Sequence, residues 1–194
     1  NKSKIISELD IFYLNNIKNK KITITGTNGK STTSKLLHDV LKKHGKDVRL
    51  VGNIGNPLLS EKNIKPQTIF VIEASSYQIE YSKYFKTDFA IILNISPNHL
   101  ERHRTFKNYI KSKFRLIKNQ NKNSFAFIEK NNNFLKEELK KNKINSKIIK
   151  VNLKVSNKIK KKIKNPYFEN KNNLNNLKFV LEISKKFKLK SQKI

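Results

Sequence analysis

Short continuous apolar runs alternate along this chain with segments in which apolar residues recur every three or four positions. The continuous runs predict buried strands at 21–25, 68–73, 89–95, 124–128 and 147–151. The helical periodicity predicts helices at 31–44, 76–85, 105–118 and 131–141. Continuous apolar strands that alternate with helices are typical of an α/β fold, here a mostly parallel sheet with helices on both faces.

A glycine-rich turn joins the first predicted strand to the first predicted helix. Its sequence, residues 26–32, is Gly-Thr-Asn-Gly-Lys-Ser-Thr, and all five glycines of the chain lie between Gly26 and Gly55. This layout predicts a P-loop-type mononucleotide-binding domain: amides at the helix start bind phosphate oxygens, Lys30 reaches the outer phosphates and Ser31 ligates Mg²⁺. The longer Walker pattern would place a glycine where this chain has Ile24, so the turn is a shorter variant. The alternative is a chance Gly-Lys-Ser in a Lys-rich chain.

Two further side chains follow predicted strands and are candidates for the same crevice. Glu73 ends an apolar run and His99 comes shortly after another. Ligands of open parallel sheets bind at the carboxyl ends of the strands, so the turn, Glu73 and His99 should converge. Mg²⁺ beside the phosphates would compensate a buried Glu73 carboxylate. The alternatives are an exposed strand-end glutamate and a surface histidine.

Lys113 lies on the apolar side of the predicted helix 105–118. It is seven residues from Phe106, nearly two helical turns, whereas Lys111 points elsewhere. Burial would lower its pKa and leave a neutral amine, the form that reacts with CO₂ to give a carbamate. Spacing alone favours the other interpretation, a lysine at the edge of the stripe with its ammonium in water.

The charge of the chain is strongly positive but is carried by lysine. The formal net charge is +29, from 43 Lys and Arg against 14 Asp and Glu, and only four of the 43 are arginines. Because Lys, Asn and Ile share A/T-rich codons, compositional drift explains this better than a surface for nucleic acid, whose readers favour arginine. The chain has no cysteine and no apolar run long enough for a membrane span, so disulfides, thiolate metal sites and membrane association are not predicted.

Several segments together resemble the Mur ligase superfamily, the ATP-dependent amide-forming enzymes of peptidoglycan precursor synthesis. The similar segments are 6–12, 26–32, 52–57 (Gly-Asn-Ile-Gly-Asn-Pro), 73–80 (Glu-Ala-Ser-Ser-Tyr-Gln-Ile-Glu) and 93–103 (Leu-Asn-Ile-Ser-Pro-Asn-His-Leu-Glu-Arg-His). Within the superfamily they are most similar to the ligases that add D-glutamate to UDP-N-acetylmuramoyl-L-alanine through an acyl phosphate. Locally, Ser7 and Asp10 also predict a capping box.

The resemblance implies a role for each matching residue. For ATP it implies Gly26, Thr27, Asn28, Gly29, Lys30, Ser31 and Thr32 at the phosphates and Asn173 and Asn176 near the adenine. For Mg²⁺ it implies Ser31, Glu73, His99 and a carbamylated Lys113. For the substrate it implies Asn53, Ser75 and Gln78, and for catalysis Lys30, His99 and Lys113. The chain departs from the pattern of the superfamily at three positions. Asn98 stands where an acidic residue is usual, and Asn170 and Asn172 replace a glycine and a histidine.

The same resemblance sets the expected organisation and partners. Residues 1–20 are expected to be a linker from a missing amino-terminal domain and 21–194 the central ATP-binding domain, with the carboxyl-terminal domain absent and the fragment alone inactive. The expected protein is a cytoplasmic monomer that uses ATP, Mg²⁺, UDP-N-acetylmuramoyl-L-alanine and D-glutamate, with no specific nucleic acid and no membrane. The alternatives are a related Mur-type or folylpolyglutamate ligase and a basic nucleic-acid-binding module.

Overall fold

The computed structural model describes residues 6–154 and 163–189 and contains six strands and seven α-helices in those ranges. The strands are β1 (Lys20–Thr25), β2 (Val48–Gly52), β3 (Ile69–Glu73), β4 (Phe89–Ile92), β5 (Phe125–Glu129) and β6 (Lys147–Val151). The helices are α1 (Glu8–Asn15), α2 (Lys30–Lys43), α3 (Ser76–Tyr81), α4 (Leu100–His103), α5 (Phe106–Lys118), α6 (Asn133–Lys141) and α7 (Lys171–Lys186). Two 3₁₀ turns lie at Leu58–Ser60 and Pro166–Phe168.

All six strands pair in parallel in one sheet of order β2-β3-β1-β4-β5-β6. The predicted α/β fold with a parallel sheet is therefore confirmed. Strand β1 lies between β3 and β4, so the three segments that follow these strands emerge side by side at the carboxyl edge.

Helices cover both faces of the sheet, each over its own apolar core. One core joins α1, α3, α5 and α6 to the sheet and the other joins α2 and α7. Neighbouring residues of β3 face opposite cores: Phe70 and Ile72 pack into the first, Ile69 and Val71 into the second. This alternation explains why the strand sequences are apolar throughout.

Helix α3 ends before the end of the predicted helix 76–85, because a buried carboxylate accepts hydrogen bonds from the backbone amides that follow α3. Asp10 of α1 accepts hydrogen bonds from the amides of Lys83, Tyr84 and Phe85 at 2.8–3.1 Å. The predicted capping box is thus only half correct, since Ser7 accepts from the Asp10 amide while the Asp10 carboxylate turns away. Burial by itself raises the pKa of Asp10, but the three amide bonds outweigh it and lower the pKa below its ordinary value.

Strand β2 and helix α1 were not predicted, and one predicted strand is shorter. Strand β2 lies at the edge of the sheet, and Arg49 interrupts its run of apolar residues. The Nε atom of Arg49 lies 3.7 Å from Asp47 Oδ1. Helix α1 packs Leu9 and Phe12 into the core, so the segment expected as a linker shares the core of the domain. Strand β4 ends at Ile92 instead of 95.

The predicted domain ranges include residues 1–5, 155–162 and 190–194, which lie outside the described residues. No described helix combines the length and the hydrophobicity that a membrane crossing requires.

Candidate nucleotide and metal site

The turn after β1 is built to expose backbone amides. Gly29 has φ +82° and forms the N-cap of α2, and no side chain caps that helix end. The amides of its first turn therefore face outward with the positive end of the helix dipole, which favours a bound phosphate. Lys30 folds back over the turn, its Nζ donating to Thr27 O at 3.0 Å and Gly26 O at 3.2 Å. A nucleotide would compete for this ammonium.

The turn is pinned to the loop that follows β4. Asn94 accepts from the Asn28 amide at 2.8 Å and donates to the Asn28 carbonyl at 2.9 Å. Thr27 Oγ1 donates to Ser96 O and accepts from the Ser96 amide, and it also lies 3.1 Å from the Tyr109 hydroxyl. Sequence reasoning missed Asn94, Ser96 and Tyr109, because these contacts join segments far apart in the chain.

Glu73 lies where a cation would be needed. It pairs with Ile24 in the sheet, directly beside the turn, and its side chain is buried. Its Oε2 atom is fully buried and has no hydrogen-bond partner among the described residues. A buried carboxylate oxygen without a partner is costly, and Mg²⁺, which prefers oxygen ligands, would satisfy it. The donor set therefore fits the metal that the sequence predicts.

Lys113 is buried, so the interpretation of a stripe-edge lysine is wrong. Its Nζ donates to Gly26 O at 3.0 Å and to Thr25 Oγ1 at 3.3 Å, at the start of the turn, and lies over the Tyr109 ring. Burial, and secondarily the charge of Lys30, lowers the pKa of Lys113 to about 7. A large share of this amine is therefore neutral at physiological pH.

His99 is exposed and lies on the same side of the sheet as Tyr109. It adopts a left-handed backbone, φ +53°, as the N-cap of the short helix α4. Its imidazole lies 3.5 Å from Glu101 and its ring centroid 6.5 Å from that of Tyr109. The described residues contain no group of three His, Cys, Asp or Glu side chains that could hold a metal by themselves. A metal here would need Ser31, a modified Lys113 or ligand oxygens as well.

The three predicted substrate residues lie around the end of β3. The Asn53 amide donates to Glu73 O at 3.1 Å, and Gly52 is required there because a Cβ would lie 2.3 Å from the same oxygen. Ser75 and Gln78 form a reciprocal capping box on α3. Their side chains therefore have a structural role whether or not they touch a substrate.

A cavity of about 950 Å³ extends from the turn towards α7. It is lined by Asn28 and Gly29 of the turn and by Asn172 and Asn176 of α7. Asn176 is buried against Gly29, where an added Cβ would lie 2.6 Å from its Oδ1, and Asn173 donates to Tyr167 O at 2.9 Å. The structure thus brings Asn176, one of the two predicted adenine-side residues, next to the predicted phosphate residues, whereas Asn173 does not line this cavity.

His103, which sequence reasoning did not select, is the most enclosed histidine near the site. Its side chain is fully buried, with Nε2 3.0 Å from Ser76 Oγ and Nδ1 3.4 Å from Glu80 Oε2. Burial lowers its pKa; Glu80 opposes that shift, and Lys113 adds to it. The imidazole is therefore mostly neutral near pH 7.

Residues 24–192 match the family described as the Mur ligase middle domain. Among curated proteins, a UDP-N-acetylmuramoylalanine–D-glutamate ligase of Caldicellulosiruptor bescii is 40% identical over 135 residues, which are 69% of this chain and 30% of that protein. The ligase of the same name from Phenylobacterium zucineum is 44% identical over 109 residues, 56% of this chain and 23% of that protein. The chain thus spans about a third or less of the length of these relatives.

Solved structures show the same fold at low identity. The MurF ligase of Thermotoga maritima in complex with ADP superposes with a TM-score of 0.56 at 20% identity, covering 76% of this chain and 37% of that one. A UDP-N-acetylmuramate:L-alanyl-γ-D-glutamyl-meso-diaminopimelate ligase from Neisseria meningitides gives a TM-score of 0.58 at 15% identity, covering 73% of this chain and 49% of that one.

Proposed function

Because this chain belongs to the Mur ligase family, whose middle domain it matches, we propose that it binds Mg·ATP as the nucleotide-handling part of a ligase. The observation that carries this proposal is the glycine-led start of α2, which no side chain caps, together with the buried Glu73 Oε2, which has no hydrogen-bond partner among the described residues. The first would bind the phosphates and the second the Mg²⁺ that accompanies them. The cavity beside Asn176 would hold the base.

We propose further that the reaction is addition of D-glutamate to UDP-N-acetylmuramoyl-L-alanine. Relatives that carry this ligase name are 37–44% identical to the chain. The solved structures of other Mur-type ligases described above are 15–20% identical to the chain and support the fold alone. Since the chain spans about 30% of most of these relatives, we expect ATP binding from this chain and the complete ligation from a longer protein.

The chain's own residues would act mainly through charge and position. Lys30 would leave the carbonyls of Gly26 and Thr27 and offset the repulsion between the transferred phosphoryl group and the substrate carboxylate. Ser31, Glu73 and His99 would hold the Mg²⁺, which would supply further charge neutralisation. Asn53, Ser75 and Gln78 lie at the edge where the second substrate would approach.

We also infer that Lys113 is carbamylated. Its neutral amine would add CO₂, forming an N–C bond, releasing one proton and replacing a neutral buried group by an anion beside Lys30. ¹³C NMR with labelled bicarbonate would detect the carbamate. Its signal should vanish in Lys113→Ala and persist in Lys111→Ala, where the changed lysine is exposed on the same helix.

Isothermal titration calorimetry with Mg·ATP tests the binding proposal. Lys30→Ala should weaken binding about ten- to hundredfold, because one charge-assisted contact contributes roughly 1.5–3 kcal/mol. Lys35→Ala, which removes an exposed lysine of the same helix paired with Asp39, is the matched control and should leave the affinity unchanged. Equal ATP affinity for the wild type and Lys30→Ala would refute the assignment.

A further inference from the structure

Helix α4 is too short to be stable without contacts to the rest of the domain. It is four residues long, and the non-glycine residues at both of its ends have positive φ angles, +53° at His99 and +64° at Arg104. So short a helix is not stable by itself, and such backbone conformations persist only where surrounding contacts enforce them. The conformation of His99 must therefore be imposed from outside α4.

The last residue of α4 makes the strongest of these outside contacts. The imidazole of His103 inserts beneath α3, where Nε2 lies 3.0 Å from Ser76 Oγ. Its ring stacks on Tyr77, with centroids 5.3 Å apart and planes within 8°. The Glu80 carboxylate lies 3.4 Å from Nδ1, an electrostatic contact, so the hydrogen bond that His103 makes with a side chain is the one between Nε2 and the Ser76 hydroxyl.

The same contacts connect the end of β3, which carries Glu73, to the α4 turn, which carries His99. Ser76 lies three residues after Glu73 at the end of β3, whereas His103 lies four residues after His99. Tyr77 also touches His99, with ring centroids 5.2 Å apart. One tyrosine ring of α3 thus contacts both histidines of the α4 turn.

We propose that His103 is a positioning residue, which fixes the His99 turn against the start of α3 through Ser76 and Tyr77 and so sets the placement of His99 relative to Glu73. For the metal itself this inference rests on the proposed function. An apolar side chain would fill the same volume without the hydrogen bond. Only an imidazole, or an amide of similar reach, joins the turn to Ser76.

The first experiment needs no nucleotide. The chain has four histidines, so their imidazole C–H resonances can be resolved by NMR. His103→Leu and Ser76→Ala should each move and broaden the His99 resonance, because its ring is no longer held beside Tyr77. His103→Gln, which keeps a hydrogen bond to Ser76, should largely restore it. His38→Leu is the matched control, since His38 lies on α2 and pairs with Asp39.

The second experiment measures the metal. The dissociation constant of ATP is measured by calorimetry in Mg²⁺ and in EDTA. The constant in EDTA divided by the constant in Mg²⁺ reports how much the metal strengthens binding. His103→Leu should reduce that ratio about tenfold or more, the usual effect of losing a residue that orients a ligand, while leaving metal-free ATP binding within about twofold. A purely structural role would lower the unfolding midpoint and leave both the ratio and the His99 resonance unchanged.

An unchanged His99 resonance and an unchanged ratio in folded His103→Leu would overturn the inference. If His103→Leu does not fold, Ser76→Ala decides by the same two measurements, because it removes the hydrogen bond and keeps the stacked ring. A wild-type chain that binds no ATP would contradict the proposed function instead, and the NMR result would then decide the positioning role alone.

Discussion

Replacing Lys113 by methionine should change how the stability of the domain depends on pH. The pKa of this amine falls from 10.5 to about 7 in the folded chain, because the side chain is 2% exposed and Lys30 is near. Between these two values the unfolded chain binds the proton and the folded chain does not, so stability rises with pH. At about 1.4 kcal/mol per pH unit, the whole window corresponds to about 5 kcal/mol.

The measurable part of this window lies between pH 7 and 9. Over that range the stability of the wild type minus that of Lys113→Met should rise by about 2 kcal/mol, with methionine relatively favoured at the acidic end where the buried ammonium is charged. Burial also lowers the pKa of Lys21, to about 8, against the opposing charge of Asp88. Lys21 therefore adds to the pH dependence of stability equally in both proteins, and its effect cancels in the difference.

Urea unfolding followed by circular dichroism at several pH values measures the difference, in degassed buffer so that CO₂ does not modify the amine. Lys111→Met, on the exposed side of the same helix, controls for the loss of one charge from a chain of net charge +29. The free energy of unfolding of Lys111→Met should change with pH as that of the wild type does. If that of Lys113→Met also does so, the Lys113 amine titrates as an ordinary lysine and the argument from burial fails.

Three other outcomes are expected. Asp10→Asn should lower the free energy of unfolding in urea by about 2–4 kcal/mol, since an amide cannot accept all of the hydrogen bonds from the amides of Lys83–Phe85. The control Asp39→Asn, at an exposed ion pair, should lower it by less than about 1 kcal/mol. Gly29→Ala should weaken ATP binding at least about tenfold by calorimetry, because a Cβ would clash with the Asn176 amide at a positive φ. Oligonucleotide binding should fall steeply and without sequence preference as salt increases, as expected of charge alone; a sequence-selective, salt-resistant complex would favour the nucleic-acid alternative.

The nucleotide turn was predictable because its signals are local. The apolar run, the glycines of the turn, Lys30 and the amphipathic start of α2 are contiguous in the sequence. The parallel sheet was predictable for a similar reason, since strands buried on both faces have unmistakably apolar sequences.

The remaining features depend on partners distant in the chain. Helix α7 was missed because its first turns are rich in asparagine and its apolar contacts begin only at Leu177. The early end of α3 depends on Asp10, and the burial of His103 depends on Ser76, 27 residues away. Local periodicity contains no information about such contacts. Lys113 shows the same limit, because its spacing alone favoured the wrong interpretation.

The anchoring of α1 has a consequence for the order in which the domain folds. This helix has eight residues, too few to persist alone, and Asp10 must find amides 73 to 75 residues further along the chain. Phe12 likewise packs edge-on against Phe70 of β3. Its partners exist only after β3, α3 and the approach to β4 have formed, and closing so long a loop is slow. We therefore expect α1 to precede most of the domain in synthesis yet to be among the last elements protected in pulsed hydrogen exchange.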